Sequence, residues 1–208
     1  TRWLDKNMRD LGAEANRLEI KILGGHTGGY DGLTLPLISS TCIGIVENRL
    51  LSPTAIRPGD SLIMSGPVAH ELAIFLSFVE TRRMEQLLGL RRVRELGKDI
   101  RKMTVIEPAL AAADAGARAM HDAAEGGTAQ ALKELSDAST LGIRLDYDMI
   151  PWSEEGLVAA EAYKADPLSA SSFGSFLVAV PKEHADDVIK SLAKYERPAK
   201  EVGSFTER

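Results

Sequence analysis

Two stretches of this 208-residue chain hold residue types that could do chemistry. The first is Gly24-Gly-His-Thr-Gly-Gly-Tyr-Asp-Gly32, five glycines in nine residues. Glycine backbones can approach a ligand closely, and their N–H groups can cradle phosphate oxygens, with His26, Thr27 and Asp31 adding side-chain ligands. A plain strand-to-strand loop would use the same glycines. The second is His121-Asp-Ala-Ala-Glu-Gly-Gly127, read as the end of a strand and the start of a helix. In open α/β sheets ligands bind at such strand ends, and the free N–H groups of a helix N-terminus favour anions. Asp122 there could hold Mg²⁺, because hard cations prefer carboxylates and phosphates. The alternative is that Asp122 only caps the helix.

Other candidates are weaker. No Gly-Lys-Ser/Thr follows the glycines, so there is no P-loop. Ser65-Gly-Pro lacks the Gly-x-Ser-x-Gly pattern of a nucleophile elbow. His70 and His184 read as surface residues, and no two histidines have zinc-site spacing. Cys42, the single cysteine, lies in an apolar run and reads as core. It leaves no internal disulfide or cysteine cluster.

The elements that must position these residues follow from periodicity. Trp3, Leu4, Met8 and Leu11 form a helical stripe that Gly12 would help to end. Leu18–Leu23 and Leu37–Val46 read as strands flanking the glycine loop. Arg57-Pro-Gly-Asp60 is a turn, followed by the buried strand Ser61–Ser65 and a helix opened by Gly66-Pro67. Helices are expected near 84–98, 104–116 and 128–139, with strands at 117–121 and 142–146. Ser153-Glu-Glu opens another helix with a serine cap and early acids. Ser175–Val180 is the clearest strand, Pro181–His184 starts an amphipathic helix, and Val202–Phe205 reads as a final edge strand. Strands and helices mix throughout, giving an α+β (mixed α/β) class.

Composition narrows the function classes. Hydrophobic residues are 44% and charged residues 26%, as in globular proteins, and the length suffices for a substantial core. Net charge is −5, which argues against general nucleic-acid binding, and Trp3 and Trp152 are not interleaved with basic residues. The basic stretch Arg82, Arg83, Arg91, Arg92, Arg94, Lys98, Arg101 and Lys102 is interleaved with Glu85, Glu95 and Asp99, which suits a solvated helix face. No apolar run approaches the roughly 20 residues needed to span a bilayer, and no secretion signal is visible, so the expected setting is cytoplasmic with no membrane partner.

The order of the motifs resembles the AIR synthase (PurM-like) superfamily. Leu23-Gly-Gly-His-Thr27 is similar to that family's strand-end Gly-Gly-x-Thr. Arg57-Pro-Gly-Asp60, Ala119-Met-His-Asp-Ala-Ala-Glu-Gly-Gly127, Leu135-Ser-Asp-Ala-Ser139, Asp166-Pro-Leu168, Phe173-Gly174 and Val202-Gly-Ser204 follow in the family's order. Within it the chain looks most like the HypE hydrogenase-maturation family. The resemblance implies residues 1–58 as the rear part of an N-terminal domain, without that domain's acidic Mg²⁺–ATP segment. Residues 59–208 would be a C-terminal domain with a mixed sheet flanked by helices. It implies ATP and Mg²⁺ as cofactors, a nucleotide and a small-molecule substrate as partners, and a homodimer. The activity implied is ATP-dependent phosphoryl transfer that activates an amide-like or phosphate oxygen. A thiamine-monophosphate-kinase-like enzyme and a non-catalytic dimeric binding or assembly protein are the alternatives. Gly24, Gly25, Thr27, Gly126 and Gly127 would contact phosphate, and His26 and Asp122 the metal. Three departures stand out: Phe173 where the family often has Glu, Glu125 where Arg is common, and no cysteine near Phe205-Thr-Glu-Arg208.

Overall fold

The structure is a computed structural model that describes residues 2–46 and 49–208. It divides into two compact units, residues 1–45 and 46–208.

In the first unit, α1 (Arg2–Arg17) is a surface helix with no buried residue, laced by Lys6–Asp10 and Glu14–Arg17 pairs one turn apart. It runs through Gly12, which does not end it. Neither Leu18–Leu23 nor Leu37–Val46 forms a strand. Both segments have strand-forming composition, but a strand exists only through ladder bonds to a neighbour, and the described residues of this unit provide none. Cys42 is accordingly exposed rather than core. Glu47 and Asn48 lie outside the described residues.

The second unit is built on a five-stranded sheet. In chain order its elements are β1 (Ser61–Ser65), α2 (His70–Val79), α3 (Thr81–Leu88), α4 (Leu90–Asp99), α5 (Ile106–Asp114) and β2 (Ala119–Asp122). Then come α6 (Gly127–Ser139), β3 (Gly142–Leu145), α7 (Glu154–Tyr163), β4 (Phe176–Val180), α8 (Ala185–Ala193) and β5 (Ala199–Thr206). The spatial order is β2-β4-β1-β5-β3, and every pairing is antiparallel. The α+β class holds, with an antiparallel sheet where a mixed one was expected. The last strand is internal, not an edge: β5 lies between β1 and β3.

Strand side chains alternate between two cores, as a period of two requires. Leu62, Met64, Leu177 and Ala179 face one layer with Leu135, Ala131 and Phe205. Ile63, Phe176, Val178 and Val180 face the other, with Ala112 of α5 and Val188 and Leu192 of α8. Both faces are therefore covered, which explains why β1 and β4 are buried at every position. A third core joins α2, α3, α4 and α7 through Ala73, Ile74, Met84, Val93, Leu96 and Ala159. The expected single helix 84–98 is two, interrupted at Gly89.

Apart from Arg101, whose side chain lies outside the described residues, the basic stretch behaves as a solvated, ion-paired surface. Arg91 and Arg92 bond Glu95, Arg92 also bonds Glu155, and Lys102 pairs with Asp99. Arg83 donates to the Ala162 carbonyl and stacks over the Tyr163 ring at 4.2 Å.

Candidate functional site

Four strands bring their ends together at one end of the sheet. Ser65, the last residue of β1, and Asp122, the last of β2, both pair with Phe176, the first of β4. Ser65 also pairs with Ala199, the first residue of β5. Four connecting segments leave the sheet here, and hydrogen bonds tie them together. Ala123 N–H donates to the Ser175 carbonyl at 3.1 Å, and Ser172 N–H to the Ala123 carbonyl at 3.0 Å. Ala69 N–H donates to Ser172 Oγ at 2.8 Å, and Gly66 N–H to the Pro198 carbonyl at 2.8 Å. Gly66 has φ of +91°, and a Cβ there would sit 2.4 Å from the Gly174 carbonyl, so this crossing requires glycine.

Glu71 is a member of this end that its sequence neighbourhood does not reveal. Its carboxylate accepts the Phe173 N–H at 2.8 Å and the Ser171 hydroxyl. It thereby fixes the loop in which Phe173 stands where the family often carries an acid. A glutamate in the first turn of a helix signals only a dipole match; its loop partner lies 102 residues away.

Asp122 is exposed at the wall of an open cavity of about 340 Å³ lined by Val105, Ala109, Met120, His121 and Phe176 besides itself. Its carboxylate lies 3.8 Å from His121 Nδ1. That ring is fixed at both ends. Nδ1 sits 2.7 Å from the Asp122 carbonyl, and Nε2 sits 2.7 Å from Glu134 Oε2 on α6. Gln130 donates to the other oxygen of Glu134, and this bond together with His121 holds the Glu134 carboxyl below the usual range. Asp122 does not cap α6, whose N-cap is Gly126 with no side-chain bond.

The paired glycines have a packing role. Gly127 has φ of +63° and is buried, and a Cβ there would lie 2.3 Å from the Ala170 carbonyl. Ala129 N–H already donates to the Leu168 carbonyl at 2.9 Å, so the Asp166–Ala170 loop covers part of the helix start. Gly24, Gly25, His26 and Thr27 are all exposed, and open space surrounds the Cβ positions of both glycines. They belong to the first unit, whereas Asp122, Gly126 and Gly127 belong to the second. Among the described residues no three His, Cys, Asp or Glu side chains gather as a metal cluster. An exposed carboxylate such as Asp122 fits a hard cation that completes its shell with phosphate oxygens and water.

His70 is not the surface residue expected from its polar neighbours. The main chain of Val68 bridges to the Pro151–Ser153 segment, which sets His70 Nδ1 2.9 Å from Ser153 Oγ. Nε2 lies 3.6 Å from Asp99, and Glu155 stands 4.0 Å from Nδ1. Burial lowers the His70 pKa, outweighing Glu155 and Asp99, whose charges raise it. Burial alone would push Glu155 up, but the Arg92 guanidinium, its hydrogen bond at 2.6 Å, leaves it lowered. The serine, histidine and acid match a hydrolytic triad only in composition. Ser153 Oγ is buried and accepts the Gly156 N–H as the α7 cap, so it is no nucleophile.

Comparison with known proteins agrees with this architecture. Escherichia coli HypE, a hydrogenase maturation protein, has the same fold with a TM-score of 0.62 at 22% identity, covering 76% of this chain and 47% of that one. A HypE crystallised in complex with ATP gives 0.55 at 22% identity, covering 75% and 45%. The carbamoyl dehydratase HypE of Rhizobium leguminosarum bv. viciae is 29% identical over 197 residues, 91% of this chain and 53% of that protein. The chain spans about half the length of the curated hydrogenase-maturation relatives it matches. Among the described residues no helix is long and apolar enough to cross a membrane. Residues 57–208 match the family described as AIR synthase related protein, C-terminal domain, and the chain belongs to that family.

Proposed function

We propose that this chain is part of a HypE-like, ATP-binding protein that catalyses ATP-dependent phosphoryl transfer to activate an amide-like or phosphate oxygen. The observation that carries the reading is the exposed Asp122 carboxylate at the open sheet end, in a chain of this family. The likeness to a HypE solved with ATP supports it. Bound Mg-ATP would supply the transferable phosphoryl group and the charge of the metal. Asp122 would hold Mg²⁺ and keep it next to phosphate oxygens. Gly24 and Gly25 would donate main-chain N–H groups to phosphate and Thr27 its hydroxyl, with His26 as a further ligand. Gly126 and Gly127 would shape the start of α6 beside Asp122. His121, clamped by Glu134, would fix the direction of the β2 end.

The test is calorimetric titration of the protein with Mg-ATP. A dissociation constant in the micromolar to millimolar range is expected, about −8 to −4 kcal/mol. Asp122→Ala should weaken Mg²⁺-dependent binding at least tenfold, with an unchanged circular-dichroism spectrum. Equal affinity in the folded variant would remove Asp122 from the site. A second reading, a non-catalytic binding protein, is favoured by Glu125, exposed three residues after Asp122 and adding negative charge to the segment that would meet phosphates. Tight Mg-ATP binding with no turnover of ATP would select it.

A further inference from the structure

A second cavity, of about 620 Å³, opens in the 46–208 unit and shares no lining residue with the Asp122 pocket. Its wall is formed where the start of α2, the turn after α4, the Phe173-Gly174 loop and the Tyr195–Pro198 segment meet. Arg197 stands in that wall. Its Nη2 donates to the Gly174 carbonyl at 3.0 Å and to the Lys102 carbonyl at 3.4 Å. Its Nη1 is buried with no hydrogen-bond partner among the described residues. Burial lowers its pKa, and no acid among the described residues acts on it to offset that loss. A guanidinium keeps its proton in a protein, so this is a partly buried positive charge whose donor set two neutral carbonyls leave unfilled among the described residues. Buried charges in folded proteins are normally paired.

The acids of the wall do not supply that pair. Asp99 faces Lys102 Nζ at 3.3 Å, His70 Nε2 at 3.6 Å and Arg92 at 3.8 Å. Glu107 and Glu196 also line the cavity, and neither forms an ion pair with Arg197. The chain holds Arg197 in place by main-chain means: Gly66 N–H grips the Pro198 carbonyl, and Glu196 adopts a left-handed φ of +52° at the preceding position. Left-handed backbone is costly for a residue with a Cβ, and here it aims the next side chain into the wall.

We propose that this cavity is a binding subsite for the anionic end of a small molecule, a phosphate monoester or a carboxylate, with the Arg197 guanidinium as its anchor. The half-exposed Phe173 ring supplies an apolar rim, and the Lys102 ammonium adds positive charge at the mouth. The subsite does not depend on the nucleotide reading, because Asp122 is not on this wall.

Inorganic phosphate and malonate, titrated separately into the protein at low salt and followed by calorimetry and thermal shift, test the proposal. At least one anion should bind saturably and raise the melting temperature. Phosphate alone would assign a phosphate ester, malonate alone a carboxylate. Arg197→Met should weaken that binding at least tenfold, with an unchanged circular-dichroism spectrum. If Arg197→Met fails to fold, Phe173→Glu, which sets a carboxylate at the exposed rim, should weaken binding by the same order. Absence of saturable binding of both anions overturns the proposal, and so does wild-type affinity in a folded Arg197→Met or Phe173→Glu variant.

Discussion

His70 shows how far the surroundings of a residue can depart from its sequence neighbourhood. The ring sits among Ser153, Glu155, Asp99 and Arg92, with its side chain 14% exposed. Its folded pKa lies below the ordinary value because burial outweighs the two carboxylates. The unfolded chain therefore binds more protons than the folded one as pH drops past about 6.5, so stability is full above that pH and declines below it. Glu155, also lowered, adds its own loss only at more acid pH, where its carboxylate takes a proton. The melting temperature should fall between pH 7.5 and 5.5 in the wild type and fall less in His70→Gln. Parallel declines in the two proteins would show that His70 is not the titrating group. The sequence made Asp122 legible as an exposed strand-end acid, because strand, acid and paired glycines are contiguous. It did not reveal the partners of His70 or Glu71, since those lie 83 and 102 residues further on.

Among the elements, those with self-contained signals were readable. The apolar runs of β1 and β4, the Ser153 cap of α7 and the Arg57–Asp60 turn all formed as their residues require. The last of these closes through Asp60, which accepts the Arg57 N–H at 2.9 Å and pairs with Arg118 at 3.0 Å. The strand β5 is legible as a strand, but its place in the sheet is not. Its sequence AKEVGSFT is polar enough for an edge, yet Val202 and Phe205 are buried and the strand is paired on both sides. Glycine and polar side chains are tolerated in its interior because Gly203 runs close to β3, where a Cβ would clash with the Arg144 carbonyl. Phe205→Ala should therefore cost about 3–5 kcal/mol, the range for truncating a buried aromatic. Urea denaturation measures it, and a loss under about 1 kcal/mol would mean that β5 contributes little to the core.

At the scale of the molecule, the two units differ in how they satisfy their apolar residues. Residues 46–208 gather three buried apolar cores. In residues 1–45, Leu23 and Ile43 are 89% exposed and Ile45 92%. Apolar surface of that kind is favourable to cover, since burial is worth about 25 cal/mol for each Å² removed from water. We expect the homodimer implied by the family resemblance, with these residues at or near its interface. Light scattering should give twice the mass of one chain, and a monomer at all concentrations would count against it.

What the sequence determined by itself is local: which segments can be helix or buried strand, where turns fall, and which acid stands at a strand end. Those properties depend on side chains within one or two turns of each other, so periodicity and capping encode them directly. Tertiary structure decided the rest. It set the antiparallel order β2-β4-β1-β5-β3, left Leu18–Leu23 and Leu37–Val46 without ladders, half-buried His70, and placed Arg197 in a cavity wall with no counter-ion among the described residues. Strand pairing and desolvation are relations between distant segments, and a residue's own neighbours in the chain carry no record of them.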